Sequence, residues 1–156
     1  MKSLLTILGI FLGVAVNAQS LSKDILKGTQ AIIIKNSNTA SENFKIAGDA
    51  LISLDYELGQ VHKDFGTIQT KLFKNNDPIG SAYLQAIDIL AQDSLVKITS
   101  RYQPLDGDNT NQLIEGVTPM YKPVVFKKKV FGSYGIFQAP LNVAGKIKGE
   151  IWYSKK

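Results

Sequence analysis

The chain has no cysteine. No disulfide can brace its fold, although an exported protein is free to form them, and no cysteine is present to carry a lipid anchor. Arginine is nearly absent, with Arg101 the only example. Nucleic-acid readers rely on the forked guanidinium for bidentate contacts to phosphates and bases, so this scarcity argues against such a role. Lysine alone leaves a weak attraction to an anionic membrane surface. Histidine also occurs once, as His62. There is no Gly-x-Ser-x-Gly elbow and no glycine-rich phosphate loop, which removes two common frameworks for hydrolysis and nucleotide chemistry. Beyond the N-terminus, no apolar run reaches the roughly 20 residues a membrane helix needs.

What is present begins with an export signal. Lys2 gives a positive start, and Leu4, Leu5, Ile7, Leu8, Ile10, Phe11, Leu12, Val14 and Val16 form an apolar core. Val16-Asn17-Ala18 then places small residues two positions apart ahead of Gln19. This is the layout of a secretory signal peptide cleaved after Ala18, so residues 1–18 are expected to be removed. The 138 that remain suit one domain with its own core. The chain has 18 basic and 13 acidic residues. Loss of Lys2 leaves 17 basic residues against the same 13, a net charge of +4 that mainly aids solubility. The mature chain is expected to be soluble, and either periplasmic or released.

Periodicity supplies the fold class. Residues 19–28 suit a short helix or a loose leader. The β-branched run 31–35 predicts a strand. Thr39 and Glu42 have the spacing of a capping box. Phe44, Ala47, Leu51 and Leu54 then recur at helical spacing, widened by Ile46 and Ala50, which predicts a helix over about 40–53. From Asp55 the period becomes two. Tyr56, Leu58, Gln60 and His62 are expected on one side of a strand, Asp64-Phe65-Gly66 makes a turn, and residues 67–73 return with Ile68, Thr70 and Leu72 on one face. Residues 74–80 carry loop chemistry.

A second hairpin is expected from residues 82–91 and 95–102, turning at Gln92-Asp93-Ser94, with Val96, Ile98, Ser100 and Tyr102 along one side. Residues 104–111 read as a polar loop, 113–122 as irregular, and 124–131 as extended. Ser133 is a candidate N-cap for a last helix. Pro140 requires that helix either to kink or to start near Ala139, since an interior proline costs about 3 kcal/mol. Gly149 is expected to end the helix. Residues 150–154 close the chain as a strand, with Ile151 and Tyr153 on one face and Trp152 on the other. The expected fold is therefore α+β: a two-layer sandwich of an antiparallel sheet with helices packed on one face.

One stretch resembles a known family. The helix ending in Leu51-Ile52-Ser53-Leu54-Asp55-Tyr56-Glu57-Leu58 leads through a short strand into Lys63-Asp64-Phe65-Gly66-Thr67-Ile68-Gln69-Thr70. This is similar to small cell-envelope domains of the helix-grip type, including those of the C lipoprotein of the outer-membrane β-barrel assembly machine. The Ala18-Gln19 cleavage site resembles exported proteins of the Bacteroidetes group. The likeness covers about 30 residues and implies a fold, with no functional residue to carry over. Gln19 stands where the lipid-bearing cysteine of such lipoproteins would be.

Candidate chemistry is sparse. His62 is a possible base or ligand, but without a second histidine or a cysteine the better reading is an exposed strand position. Asp106-Gly107-Asp108-Asn109-Thr110-Asn111 resembles the start of a calcium loop. Asn111 replaces the glycine at its sixth position and Val117 its final glutamate, so an ordinary surface loop is favoured. Lys127-Lys128-Lys129 is a candidate anionic-surface patch, weighed against a solvated segment. Asp55 and Glu57 are expected to share a strand face. Tyr56, Phe65, Phe73, Tyr83, Tyr102, Tyr121, Phe126, Phe131, Tyr134, Phe137, Trp152 and Tyr153 exceed what one small core must hold. Some are candidates to line a groove between helix and sheet, against the simpler reading of core filling.

The expectation is an exported, non-enzymatic binding or interaction module of the cell envelope. It has no catalytic, metal or cofactor residues, and an unidentified protein or surface component is its partner. The alternatives are a small carrier of an apolar ligand held between helix and sheet, and a hydrolase whose site is not apparent.

Overall fold

The computed structural model describes residues 21–76, 82–105, 121–128 and 134–155. Strands β1 (Leu21–Ser22) and β2 (Thr29–Lys35) precede helix α1 (Ala40–Ile52). Then come β3 (Leu58–His62), a 3-10 turn (Lys63–Phe65), β4 (Thr67–Thr70), β5 (Phe73–Asn76), β6 (Ala82–Gln92), β7 (Leu95–Pro104) and β8 (Lys122–Pro123). A second 3-10 turn (Gly135–Phe137) runs into α2 (Gln138–Ala144), and β9 (Glu150–Lys155) follows. The strands form one antiparallel sheet in the order β1-β9-β2-β7-β6-β4-β3, with β5 on β6 and β8 on β7. The sheet does not close into a barrel, and both helices pack against it. The expected α+β architecture is observed.

Local chemistry explains the elements. The Thr39 hydroxyl accepts the Glu42 N–H at 3.3 Å, and the Glu42 carboxylate accepts the Thr39 N–H at 2.8 Å. This is the expected capping box, which satisfies two otherwise orphaned donors. At the other end the Tyr56 N–H reaches the Leu51 carbonyl and the Asp55 N–H that of Ile52. Asp55 adopts a left-handed conformation (φ 60°) between them. This Schellman geometry closes the helix with aspartate in a place that glycine usually takes.

The core lies between the helices and one face of the sheet. Ile32 and Ile34 of β2, Ile87 and Ile89 of β6, and Val96 and Ile98 of β7 face Ala47, Ala50 and Leu51 of α1 and Ala139, Val143 and Ala144 of α2. Full burial of each large aliphatic side chain contributes about 1.5–3 kcal/mol. Two glycines permit close approaches. Gly66 (φ 63°) ends the 3-10 turn, where a Cβ would strike the Ala91 carbonyl oxygen. Gly149 (φ 154°) leads into β9, where a Cβ would lie 2.6 Å from Ile34 Cγ2 and from the Lys35 oxygen.

Several sequence expectations need correction. Residues 21–22 of the expected leader are a strand paired with β9. Strand β3 contains a bulge: Leu58 pairs with Thr70 but Val61 with Ile68. One extra residue therefore turns His62, opposite Thr67, to the other side of the sheet from Leu58. The single strand expected over 67–73 is two, because β4 stops at Thr70 and Leu72 is exposed between it and β5. Residues 74–76 of the expected loop belong to β5 and pair with β6.

The hairpin of β6 and β7 turns at Asp93-Ser94, with Ser94 left-handed at φ 59°. Pro104, expected in a loop, lies in β7. Helix α2 starts at Gln138, with Pro140 in its first turn where no N–H is needed. It is capped by Gly145 rather than Gly149. Residues 124–128 cross from β7 to β2: the Val124 N–H bonds Ser100 O and the Phe126 N–H bonds Thr29 O. Residues 106–120 and Ser133 lie outside the described residues, and with them the calcium-like stretch and the expected cap.

Candidate functional site: the helix-free face of the sheet

The period of two puts alternate residues of each strand on the face opposite α1 and α2, which bears no helix among the described residues. In register across six strands, that face carries Trp152 (β9), Ile33 (β2), Lys97 (β7), Leu90 (β6), Thr67 (β4) and His62 (β3). At the usual strand spacing this row spans about 24 Å. The row beside it runs through Ala31, Thr99, Asp88 and Gln69. Between the two rows lies a shallow depression of about 350 Å³, lined by Gln60, His62, Thr67, Gln69, Asp88, Lys97 and Thr99 among others.

Polar contacts order parts of this face. Gln69 Nε2 donates to Asp88 Oδ1 at 2.5 Å, and the Arg101 guanidinium stands 3.7 Å from the same oxygen. Arg101 also lies over the Tyr121 ring, 5.4 Å from its centroid. At the other side Lys23 and Lys35 sit 4.3 and 4.9 Å from the Trp152 ring centre, within cation–π range. Lys23 pairs in turn with Glu150. Three polar atoms among the described residues are buried without any partner: Arg101 Nε, Gln103 Oε1 and Trp152 Nε1. By strand register all three belong to this face.

The covered face handles its polar groups differently. Gln85, fully buried, donates to Ser100 Oγ at 2.8 Å and to the Ile136 carbonyl at 2.9 Å, and it accepts from Asn75. Asn43, fully buried on α1, donates to Asn36 Oδ1 and the Gln92 carbonyl and accepts from Asn36 and Asn38. It locks the helix to the ends of β2 and β6. Neither residue is evident as a core position in the sequence.

His62 is exposed at the depression, as its strand position suggests, and its side chain forms no hydrogen bond or ion pair among the described residues. Among the described residues no group of three His, Asp or Glu side chains is placed to hold a metal ion. Asp55 and Glu57 do not share a strand face. Asp55 ends the helix, while Glu57 pairs with Lys71 at 2.8 Å, which holds its carboxyl below the usual range. The aromatics mostly contact one another. Phe126 lies 5.7 Å from Tyr134 and 5.9 Å from Phe137, Tyr56 lies 4.7 Å from Phe73, and Tyr83 meets Tyr102 edge-on at 6.3 Å.

Burial raises the Tyr56 and Tyr153 phenols above their ordinary range. Phe65 is 77% exposed on the turn before Gly66. With Phe44, Ser41 and Asp93 it borders a second depression of about 460 Å³. Lys127 and Lys128 are exposed outside any strand, and Lys129 and Phe131 lie outside the described residues. No helix among the described residues is long and apolar enough to cross a membrane. No protein-family model matches the sequence, and no curated protein is significantly similar to it.

Proposed function

We propose that the chain is an exported, non-enzymatic binding module of the cell envelope that engages a partner through the helix-free face of its sheet. The observation that carries this reading is the gathering of Arg101 Nε, Gln103 Oε1 and Trp152 Nε1, all buried and unpartnered, on that one face. A buried polar atom without a partner costs about 1–3 kcal/mol, and small side-chain shifts on docking would let a partner meet these groups. The Trp152-to-His62 row adds a tryptophan, a residue type enriched at contact surfaces, flanked here by Lys23 and Lys35. Export rests on residues 1–18. Kinship with helix-grip envelope domains is part of the same proposal, supported by the resemblance over residues 41–70. The carrier alternative has less behind it, because Phe126, Tyr134 and Phe137 pack together rather than around a space.

Two measurements test this. The full chain, expressed with a C-terminal tag in a Gram-negative host, should be recovered from the periplasm or medium with a mass lacking residues 1–18. An unprocessed cytoplasmic product would overturn export. Immobilised protein should capture a saturable component from envelope extracts of its own source, and a Trp152→Ala/Lys97→Glu variant should lose it while keeping its circular dichroism. Equal capture by both would remove this face from the function.

A further inference from the structure

The lysines of this chain are not spread evenly, and the fold gathers one group that its sequence separates widely. The Gly28 N–H donates to the Phe126 carbonyl at 2.9 Å, and the Phe126 N–H donates to the Thr29 carbonyl at 2.8 Å. These bonds set Lys27 beside Lys127 and Lys128. Thr29 in turn pairs with Lys155, whose Cδ lies 3.9 Å from the Cβ position of Gly28. Three segments, more than 100 residues apart at their extremes, thus bring Lys27, Lys127, Lys128 and Lys155 to one end of the sheet.

Among the described residues, none of the four joins an ion pair. The pairs among the described residues are Lys23–Glu150, Lys45–Asp49, Lys71–Glu57 and Arg101–Asp88. No described acidic side chain is paired with the cluster, which leaves its four ammonium groups open to an anionic surface. The turn beside it is held firmly, because the Leu26 carbonyl accepts both the N–H of Thr29 at 3.0 Å and its hydroxyl at 2.7 Å. That turn presents Leu26, 44% exposed, next to Lys27.

We propose that this lysine end docks the protein on the surface of an anionic lipid bilayer. Lysine is a compact point charge without the fork that reads a particular phosphate or base. Four of them at one end suit a diffuse, planar array of anionic headgroups, and Leu26 supplies an apolar contact at the headgroup boundary. The four lysines belong to two loops and the end of β9 and not to the Trp152-to-His62 row, so the inference stands or falls separately from the binding-module reading.

The test uses the processed protein and sedimentation with vesicles of phosphatidylglycerol and phosphatidylcholine, set against vesicles of phosphatidylcholine alone. Each lysine near an anionic surface is worth about fivefold in affinity. A Lys27→Gln/Lys127→Gln/Lys128→Gln variant should therefore bind the anionic vesicles about a hundredfold more weakly, with unchanged circular dichroism. A Lys45→Gln/Lys63→Gln/Lys146→Gln variant, equal in charge but altered elsewhere, should keep most of the binding. Raising salt until the Debye length falls to about 3 Å should abolish most of the attraction. Equal binding to neutral vesicles, an unchanged triple variant, or an equal loss in the control each overturns the proposal.

Discussion

Gln85 and Gln103 lie on the central hairpin, one on each face of the sheet. Gln85 is wholly buried under the helices, and its amide makes three hydrogen bonds. Gln103 lies on the helix-free face, and its carbonyl oxygen is buried with no partner. The same contrast separates the faces as wholes. Under the helices, Asn43, Thr70, Gln85 and Ser100 each have hydrogen bonds. On the opposite face, ionic and aromatic groups dominate, and some polar atoms are left unmet. A face that only stabilises the fold must satisfy every polar group it buries, since each failure removes 1–3 kcal/mol or so from a stability of about 5–15. On a face that meets a partner the same cost is carried in the free state and can be recovered on docking.

The strongest way to break this comparison is to cut one large aromatic from each face. Phe137 is 2% exposed and sits in the core cluster, so Phe137→Ala should cost about 3–5 kcal/mol in urea unfolding followed by circular dichroism. Trp152 is only partly buried and outside that cluster, and Trp152→Ala should cost less than half as much. Equal losses would make the helix-free face a second core and remove its reading as a contact surface.

The glutamines sharpen the comparison through the sign of the effect. Gln85→Leu strands the Ile136 carbonyl and the Asn75 amide, and should destabilise by about 1–3 kcal/mol. Gln103→Leu removes an acceptor that has no partner, and should be neutral or slightly stabilising. If Gln103→Leu proved as costly as Gln85→Leu, the unmet oxygen would in fact be satisfied, and the observation behind the proposed function would fail.

These faces were only partly legible in the sequence. Helix α1 and the β6–β7 hairpin were, because their apolar spacings are long and regular and their ends carry explicit chemistry at Thr39, Glu42 and Ser94. The bulge in β3 was not, since an extra residue leaves no mark in an apolar pattern as weak as Leu58-Gly59-Gln60-Val61. The break at Lys71-Leu72 was hidden for the opposite reason: alternation continues through it, while pairing passes from β4 to β5. Asn43 was missed because its partners, at Asn36, Asn38 and Gln92, come together only once the helix has docked. The candidate face has the same origin. Gln69, Asp88 and Arg101 are unremarkable apart, and become neighbours only through strand register. The lysine end depends on loop contacts still further from any local signal.

The smallest effect lies at the rim of the covered face, where α1 begins with a complete capping box and α2 has no side-chain cap. Thr39→Ala should cost about 1 kcal/mol. The box also makes a pH signature. The Glu42 carboxyl is held below its ordinary value of 4.5, chiefly by the backbone N–H of Thr39 and then by its hydroxyl. A carboxyl whose folded value is depressed adds stability that is fully present above the unfolded value and is lost as pH falls through the folded one. Glu57 is lowered by Lys71 in the same direction, but that pair is exposed and screened by salt. In high salt, the fall in stability below pH 4.5 should therefore be shallower for Glu42→Gln than for the parent chain, while Glu57→Gln should match the parent. An acid limb unchanged by Glu42→Gln would mean that the cap does not anchor the helix, and that packing against the sheet alone holds α1 in place.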